Sequence, residues 1–358
     1  MWLIYLILFI FNNMKQCFSY RKQCWLVFFS FGFMAGFGQL RAQESHPPDL
    51  HATVQSYLKQ GDYANALLVL NNALKEDPRN LELLKDQAFT YYLQKKYEQS
   101  AAVGRKLLEN KEADVKAYQI AALPYKATEN MRELDRIYKK GLKAFPNSGV
   151  LHNEYGEVLW TKQNPDAIVH WEKGIEAEPN YPGNYYNAAK YYYHSRDKVW
   201  SLIYGELFIN MESYTTRTVE MKNILLASYK KFFTDTDNDL FVNDKNSFVK
   251  AYVADLQKQA SLASRGINPE SLIMIRTRFI LDWYERNFSS FPFRLFEYHQ
   301  QLLKEGLFEA YNQWLFGSTQ DLTAFQVWIN GHAEEYQRFL DFQKGRVFKM
   351  PSNHYYNN

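Results

Sequence analysis

The chain contains, at residues 50–78, the stretch LHATVQSYLKQGDYANALLVLNNALKEDP, and this stretch decides the fold. It places a small residue, Val54, three positions before Tyr57, and a second small residue, Ala66, twelve positions after Val54. The same spacing returns every 33 or 34 residues, and a fixed period of that length is typical of stacked helical hairpins. Five units are recognisable, and the first small residue of each is, in order, Val54, Ala88, Ala122, Gly156 and Ala189.

Each unit has the pattern of two antiparallel helices joined by a short turn. Gly61 and Asp62 mark the turn of the first unit, since both residue types favour turns and helix ends. Pro78, Pro146 and Pro179 lie between units, where a missing N–H and a fixed φ end one helix and start the next. The small residues at the eighth and twentieth positions of a unit are predicted to meet where its two helices cross, because larger side chains would push the helices apart.

On these residues, the chain from about Pro48 to Asn210 resembles the tetratricopeptide repeat (TPR) proteins. The pattern of that family is aromatic, leucine, small, tyrosine, then alanine, aromatic, alanine, proline. The chain departs from it at Leu50, Leu84 and His152, where the family favours tryptophan. The resemblance implies an all-α, right-handed superhelix whose concave face binds an extended peptide or a partner helix, with no catalysis of its own.

Residues 1–42 have the pattern of a targeting segment. A basic start precedes the apolar run Trp25–Phe37, and a small-residue cleavage site follows at Leu40–Ala42. We expect export to the periplasm or cell envelope with cleavage near Ala42, a true start at Met14, and a short linker at residues 43–47. The alternative is that the apolar runs are retained as membrane helices, although each is shorter than the ~20 residues that a span needs.

Removing this leader changes the charge and the cysteine content. It holds four basic residues and no acidic one, so the formal net charge falls from +3 to −1, and both cysteines, Cys17 and Cys24, leave with it. A mature chain without a basic excess is not expected to bind nucleic acid. Without thiols it has no disulfide, zinc-thiolate site or cysteine nucleophile. We find no motif for a metal, phosphate or dinucleotide, and predict no cofactor.

After the short linker at residues 43–47, the remaining 311 residues divide into four predicted regions. These are a TPR array at 48–212, a capping helix at 213–233, an acidic linker at 234–246 and an aromatic-rich α-helical C-terminal domain at 247–358. Within the linker, Asp235, Asp237 and Asp239 alternate as in a calcium-binding loop, but Leu240 and Asn246 stand where the turn glycine and the closing glutamate belong. A solvated linker is therefore favoured over a calcium site.

The family geometry predicts which residues face the groove, because the second, fifth, ninth, twelfth and thirteenth positions of each first helix point inward. The groove is expected to be aromatic and amide-lined with scattered lysines, which suits the backbone and acidic groups of a bound peptide. The residues that we predict to contact the partner are Lys85, Phe89, Tyr92, Gln119, Lys126, Asn153, Glu157, Trp160, Tyr186, Lys190 and Tyr193. The same projection also places His51, Gln55, Leu58, Lys116, Leu123 and His194 on this face.

Three more specific functions are weakly supported. The chaperone-tail clamp of some TPR domains uses a Lys, Asn, Asn, Lys, Arg set, and of the matching residues His51, Gln55, Asp86, Lys116 and Ile120 only the fourth agrees. His299, His332 and the pair Glu334–Glu335 lack the spacing of a zinc or hydrolase site, and a solvent-facing or capping role is predicted for them. The aromatic residues between Phe279 and Phe348 have helical spacing, so a packed core is favoured over a sugar-binding surface.

The sequence therefore predicts an exported, non-catalytic scaffold that holds a protein or an extended peptide in its groove. Contact with a membrane is expected only through an uncleaved leader. The alternative is that residues 247–358 form a glycan-binding or enzymatic module recruited by the TPR arm. Polar residues converging in a deep pocket of that region would favour the alternative.

Overall fold

The computed structural model describes residues 49–195, 197–234 and 245–357. Within those ranges the chain is helical and contains no strand, and the residues from Asp49 onward form one compact unit. The predicted leader and the linker at 43–47 lie outside the described residues, as do Asp235, Asp237, Asp239 and Leu240. No helix in the described ranges has both the length and the apolar character needed to cross a bilayer.

Five helical hairpins follow one another from Leu50 to Met211, and a longer helix closes the series. The paired helices are α1 (Leu50–Gln60) with α2 (Tyr63–Glu76), α3 (Leu81–Leu93) with α4 (Tyr97–Glu109), α5 (Val115–Ala127) with α6 (Met131–Ala144), α7 (Gly149–Thr161) with α8 (Ala167–Ala177), and α9 (Pro182–His194) with α10 (Val199–Met211), followed by α11 (Thr216–Thr234). Each helix packs on the next along the chain, as in a TPR-like α-solenoid with a capping helix. The predicted fold class is confirmed for this half.

The small residues lie where the two helices of a hairpin cross. In the second unit, the Ser100 hydroxyl donates to the Ala88 carbonyl at 2.8 Å, which places the twentieth and eighth positions in contact. In the fourth unit, a Cβ at Gly156 would lie 2.3 Å from Trp171 Nε1, a distance that no packed side chain allows. The indole is fixed in this position, because Trp171 Nε1 donates to the Asn153 carbonyl at 3.2 Å. Glycine is therefore required at this crossing.

The turns of the hairpins use the left-handed backbone conformation. Gly61 ends α1 with φ 74°, and Asp62 caps α2 by accepting from the Asn65 N–H. In the next three hairpins the left-handed residue is not glycine but Lys95, Glu129 or Gln163, with φ of 59°, 52° and 56°. A side chain at such an angle costs free energy, so the repeat retains its turn geometry even where the residue type is unfavourable.

The region after residue 245 is also helical, as predicted. It contains α12 (Ser247–Gln257), α13 (Ala260–Ala263), α14 (Pro269–Arg286), α15 (Arg294–Lys304), α16 (Phe308–Asn312), a π-helical turn (Gln313–Gly317), α17 (Ser318–Gln320), α18 (Leu322–Gly331) and α19 (Ala333–Lys344). The stretch from Leu322 to Lys344 is divided at His332, where the backbone leaves the helical region (φ −129°, ψ 34°) and a new helix begins.

The later hairpins of the array and the C-terminal helices share one hydrophobic core, which extends from Leu108 to Met350, whereas the first two hairpins have two smaller clusters of their own. Phe248 of α12 lies at its centre, with its ring 5.8 Å from Trp200 of α10 and 5.5 Å from Trp283 of α14. The predicted linker at 234–246 therefore does not separate two cores. The aromatic residues that we assigned to the core are largely there: Phe279, Trp283, Phe293, Phe296, Trp314 and Phe316 are buried.

Candidate functional site

A cleft of about 350 Å³ lies on the face formed by the first helices of the first four units. We call it the N-terminal cleft. Its lining includes seven residues that the projection placed on this face, namely His51, Gln55, Lys85, Phe89, Lys116, Gln119 and Leu123. Four further residues line it that we did not predict as groove residues, namely Glu82, Asp86, Ile120 and Glu154.

Three of the unpredicted residues share a position in the repeat. Asp86, Ile120 and Glu154 each occupy the sixth position of a first helix, next to the fifth position that the family geometry directs inward. A helix advances 100° per residue, so adjacent positions border the same face when the groove is broad. The signal was present in the sequence, because these three residues recur at the 34-residue spacing.

The carboxylate of Asp86 is the polar centre of one end of the cleft. It accepts from His51 Nδ1 at 2.6 Å and from Gln55 Nε2 at 2.9 Å, and its residue is 5% exposed. Burial raises the pKa of Asp86 above its ordinary value, although the hydrogen bonds from His51 and Gln55 act in the opposite direction. Both oxygens therefore have partners within the protein, and α1 is tied to α3 through them.

Lys85 was predicted to meet acidic groups of a partner, but its ammonium is committed within the chain. Its Nζ donates to Glu82 Oε1 at 2.8 Å and to Asp114 Oδ2 at 2.7 Å, and the residue is 5% exposed. Burial alone would lower the pKa of Lys85, but the hydrogen bonds to Asp114 and Glu82 outweigh it and raise the pKa. Lys116, by contrast, is exposed at the rim of the cleft.

Glu154 organises the other end of the N-terminal cleft. Its carboxylate accepts from Gln119 Nε2 at 2.7 Å and from the Tyr138 hydroxyl at 2.6 Å, and lies 3.2 Å from Lys126 Nζ. Two predicted contact residues, Gln119 and Lys126, thus bind this glutamate. Between the two polar ends, Phe89, Ile120 and Leu123 form an apolar floor.

The predicted groove residues of the fourth and fifth units lie outside the N-terminal cleft and make their own contacts. Asn153 donates to Glu157 Oε1 at 3.0 Å. On α9, Lys190 donates to Glu220 of α11 at 2.7 Å, and Tyr186 also hydrogen-bonds to that carboxylate. Trp160 is 47% exposed and lies beside the rings of Trp171 and Tyr191. The ammonium of Lys231 on α11 lies 3.7 Å from the ring centroid of Tyr193. In the second unit, the ring of Tyr92 stacks on that of Phe89, with 6.2 Å between the centroids.

A second concentration of polar side chains is buried between the array and the C-terminal helices. Glu206 of α10 accepts from the Tyr311 hydroxyl and from His299 Nε2, both at 2.7 Å, and from the guanidinium of Arg276. We call Glu206, Arg276, His299 and Tyr311 the buried polar cluster. Burial would raise the pKa of Glu206, but the charge of Arg276 and the bond from His299 outweigh it and lower the pKa to about 2.

The buried polar cluster corrects one prediction and reveals one omission. The solvent-facing or capping role predicted for His299 is wrong, because the residue is 3% exposed and bonded to Glu206. Glu206 was not predicted at all. The available signal was its place as the single charged residue in the apolar helix VWSLIYGELFINM. His332 is exposed as predicted, and its Nδ1 lies 2.9 Å from the Trp328 carbonyl.

The space beside the buried polar cluster is small. A void of about 10 Å³ adjoins Glu206, Arg276 and His299 and is otherwise walled by aliphatic and aromatic side chains. That volume accommodates one water molecule at most. In the described ranges, no group of three or more His, Cys, Asp or Glu side chains is arranged to hold a metal ion.

Neither a protein-family model nor a curated protein sequence matches this chain. Among solved structures, a thermophilic TPR protein of Thermus thermophilus is similar, with 17% sequence identity and a TM-score of 0.40. The match covers 49% of this chain and 97% of that one. The 33- or 34-residue spacing of the sequence coincides with the consecutive hairpins of its own structure, so residues 50–211 have the fold of a TPR-like α-solenoid.

Proposed function

We propose that this protein is a non-catalytic scaffold that binds an extended peptide, or an exposed segment of a protein, in the N-terminal cleft. One observation carries the proposal. The cleft combines an apolar floor with polar ends whose charged groups are already paired within the chain. Such a surface is pre-organised for binding. Because its carboxylates are already paired with donors of the chain, a ligand that covers them does not leave unpaired charges without water.

The floor favours a ligand with an apolar anchor. Phe89 and Leu123 are half-buried and Ile120 is buried, so their exposed edges gain by being covered. A cleft of about 350 Å³ lies in the range of small-ligand pockets and accommodates one or two large side chains. Lys116, exposed at the rim, favours an acidic group next to that anchor.

Selection from a random peptide library on the wild-type protein, followed by calorimetric titration of the selected peptide, tests the proposal. Leu123→Asp places a charge on the floor and is expected to weaken binding at least about tenfold, or 1.4 kcal/mol. Phe89→Ala, a milder change, is expected to weaken it several-fold. The matched control is Leu68→Asp, since Leu68 is 59% exposed on α2 and does not line the cleft.

If the selected peptides bind Leu123→Asp and Phe89→Ala as tightly as they bind the wild type and the control, the N-terminal cleft is not the binding site. The predicted residues at the far end are tested in the same way with the double variant Trp160→Ala, Tyr193→Ala. Loss of binding there, with no effect of Leu123→Asp, would move the site to the fourth and fifth units. Thermal unfolding followed by circular dichroism shows which variants keep the fold.

The alternative function places glycan binding or catalysis in residues 247–358. The buried polar cluster is the observation in its favour, because a histidine, a glutamate and an arginine converge there. The void beside them is only about 10 Å³, and most of the aromatic side chains that a sugar would stack on are buried in the core. A structural role for the cluster therefore has the stronger support. Binding in a glycan array that Arg276→Met abolishes, while circular dichroism shows that the variant remains folded, would favour the alternative function.

Export to the periplasm or envelope is part of the proposal and rests on the leader pattern alone. The expected mature protein begins at Gln43. N-terminal sequencing of the protein purified from its native host tests this. A protein that still begins at Met1 or Met14 would contradict cleavage near Ala42.

A further inference from the structure

A second cleft of about 350 Å³ opens where the end of the array meets the end of α19. We call it the C-terminal cleft. One wall consists of side chains from residues 210–214, at the end of α10 and in the turn before α11. The other consists of side chains from residues 343–348, at the end of α19 and just beyond it, and Tyr298 of α15 also lines the cleft. It is separate from the N-terminal cleft, because the two share no lining residue.

Polar side chains join the two walls of the C-terminal cleft. The Tyr214 hydroxyl donates to Gln343 Oε1 at 3.2 Å, and Gln343 Nε2 donates to Ser213 Oγ at 3.4 Å. Asn210 is buried in the first wall, and its Nδ2 donates to the Tyr311 hydroxyl of the buried polar cluster at 2.7 Å. The cleft is therefore built from both halves of the chain, and its shape depends on the contact between them.

The charges that line the C-terminal cleft have one sign. Of the ten described residues in its lining, Lys344 and Arg346 are basic and none is acidic. Lys344 is exposed, and its ion pair with Asp341, which is exposed as well, has a distance of 3.9 Å. A pair of this kind contributes little, because water screens both charges. The cleft thus presents positive charge that its own lining does not neutralise.

Arg346 is the group of the lining that is best suited to bind an anion. It is half-buried, and its guanidinium lies 4.6 Å from the ring centroid of Tyr298 and 5.3 Å from that of Phe342. A guanidinium has several N–H donors, and within the described residues only Nη1 of Arg346 uses one, to Gln301 Oε1 at 2.7 Å. The other donors and the charge are left without a carboxylate partner in that part of the chain.

The charged groups around Arg346 do not replace such a partner. The carboxylate of Glu305 is linked to Arg346 through the amide of Gln301, whose Nε2 donates to Glu305 Oε1 at 2.7 Å. Burial lowers the pKa of Arg346 and the charge of Arg294 adds to this shift, while the charges of Tyr298 and Glu305 oppose it. The net direction is the one expected for a cation with no carboxylate beside it. An anion in the C-terminal cleft would supply the missing charge.

The rest of the lining favours a ligand with an apolar body. Met211, Tyr298 and Phe348 line the cleft with apolar surface, and the last two are buried. An aromatic or aliphatic group gains by packing on such side chains, and a carboxylate accepts two parallel N–H···O bonds from a guanidinium. A volume of about 350 Å³ is at the lower end of the range for small-molecule sites.

We propose that the C-terminal cleft binds a small organic carboxylate with an aromatic or aliphatic body, whose carboxylate lies on Arg346 next to Lys344. This site is additional to the N-terminal cleft, and neither depends on the other. Because its walls come from the array and from the C-terminal helices, the bound molecule strengthens the contact between the two halves. Binding to the folded state alone raises the stability of the protein by mass action.

The test titrates the mature protein with phenylbutyrate, with its amide phenylbutyramide and with the amine phenylbutylamine. The three probes share one apolar body and differ in charge. Binding is followed by nuclear magnetic resonance of isotope-labelled methionine methyl groups. We expect phenylbutyrate to bind at least about tenfold more tightly than the other two. We also expect it to shift the resonance of Met211, which lines the cleft, and not that of Met274, which is exposed on α14.

Two matched pairs of variants locate the carboxylate. Arg346→Met removes the guanidinium and should weaken phenylbutyrate binding at least about tenfold. Its control is Arg338→Met, which removes an exposed guanidinium of α19 outside the cleft and should change binding by less than about twofold. Val347 lines the cleft and is 77% exposed, so its replacement does not disturb packing. Val347→Glu should weaken binding several-fold by charge repulsion, and the neutral Val347→Gln should not.

Several results would overturn the proposal. Equal binding of phenylbutyrate and phenylbutyramide, or equal effects of Val347→Glu and Val347→Gln, would show that the cleft does not select an anion. No shift of the Met211 resonance up to about 10 mM phenylbutyrate would exclude the site. A tripeptide ending in phenylalanine that binds more tightly than phenylbutyrate, and only with a free C-terminus, would identify a protein C-terminus as the occupant instead. Circular dichroism shows whether Arg346→Met folds, and if it does not, the two Val347 variants decide.

Discussion

The substitution Arg276→Met removes the cation that compensates the buried carboxylate of Glu206. Arg276 and Glu206 are each 2% exposed, and the guanidinium also bonds to the side-chain oxygen of Asn312. In the variant, Glu206 retains only its bonds from His299 and Tyr311. Removing one partner of a buried ion pair leaves a charge in a low-dielectric site, which typically costs about 3–5 kcal/mol.

The lowered pKa of Glu206 leads to a similar magnitude for this loss of stability. Its value falls from an ordinary 4.5 to about 2 in the folded protein. A difference of that size corresponds to about 3 kcal/mol of stability. Because the folded pKa is depressed, this contribution is complete above about pH 4.5 and is lost as the pH falls toward 2. Without Arg276 the pKa of Glu206 rises, so the deficit of the variant should shrink as the solution becomes acidic.

The assay is urea unfolding followed by circular dichroism at about pH 7 and about pH 5, with Arg286→Met as the control. Arg286 lies on the same helix, α14, but is half-exposed, and its nearest Asp282 oxygen is 3.7 Å away. An exposed pair of this kind is worth at most about 1 kcal/mol. The reasoning is refuted if Arg276→Met loses no more stability than Arg286→Met. It is also refuted if Glu206→Gln added to Arg276→Met recovers none of the loss.

Three further predictions concern stability. Gly156→Ala should lower the free energy of unfolding by about 1–3 kcal/mol, because the new Cβ would overlap Trp171. The control Gly331→Ala should have little effect, because a Cβ there would have no atom within 4 Å. Equal effects of the two substitutions in denaturant unfolding would contradict the crossing geometry. Gln163→Gly should raise the free energy of unfolding by about 0.5–1 kcal/mol, since φ is 56° there, and a lower melting temperature would count against it. Burial raises the pKa of Glu172 from 4.5 to about 7, so its protonated form is favoured in the fold and stability should fall by up to about 3 kcal/mol as the pH rises from about 5 to about 8. Glu172→Gln should flatten that pH dependence, and an unchanged profile would show that the group does not titrate there.

The repeats were predictable because their information is local. The spacing of Val54, Tyr57 and Ala66 specifies a hairpin within about 20 residues, and the recurrence at Ala88 and Gly156 specifies stacking. Helical periodicity identified the C-terminal helices for the same reason. Much of the N-terminal cleft also followed, because a regular array maps sequence position onto direction.

Some residues have an environment that differs from the predicted one, because it depends on contacts with residues far away in the sequence. His299 looks like a surface histidine in sequence, since its neighbours on α15 include Glu297, Gln300 and Gln301. Its burial depends on Glu206, 93 residues earlier. Lys85 reads as a free groove cation, but Asp114, 29 residues later, holds its ammonium.

The α18 helix shows the same limit in reverse. Its apolar spacing resembled that of a core helix, and only the tertiary structure left it without a buried residue. The amino-acid sequence by itself determined the hairpin, its period and the face that each position presents, because these depend on neighbours within one or two helical turns. Which polar groups pair, which apolar groups are covered and which remain exposed was decided only when distant segments met, because pairing and burial are properties of contacts and not of spacing.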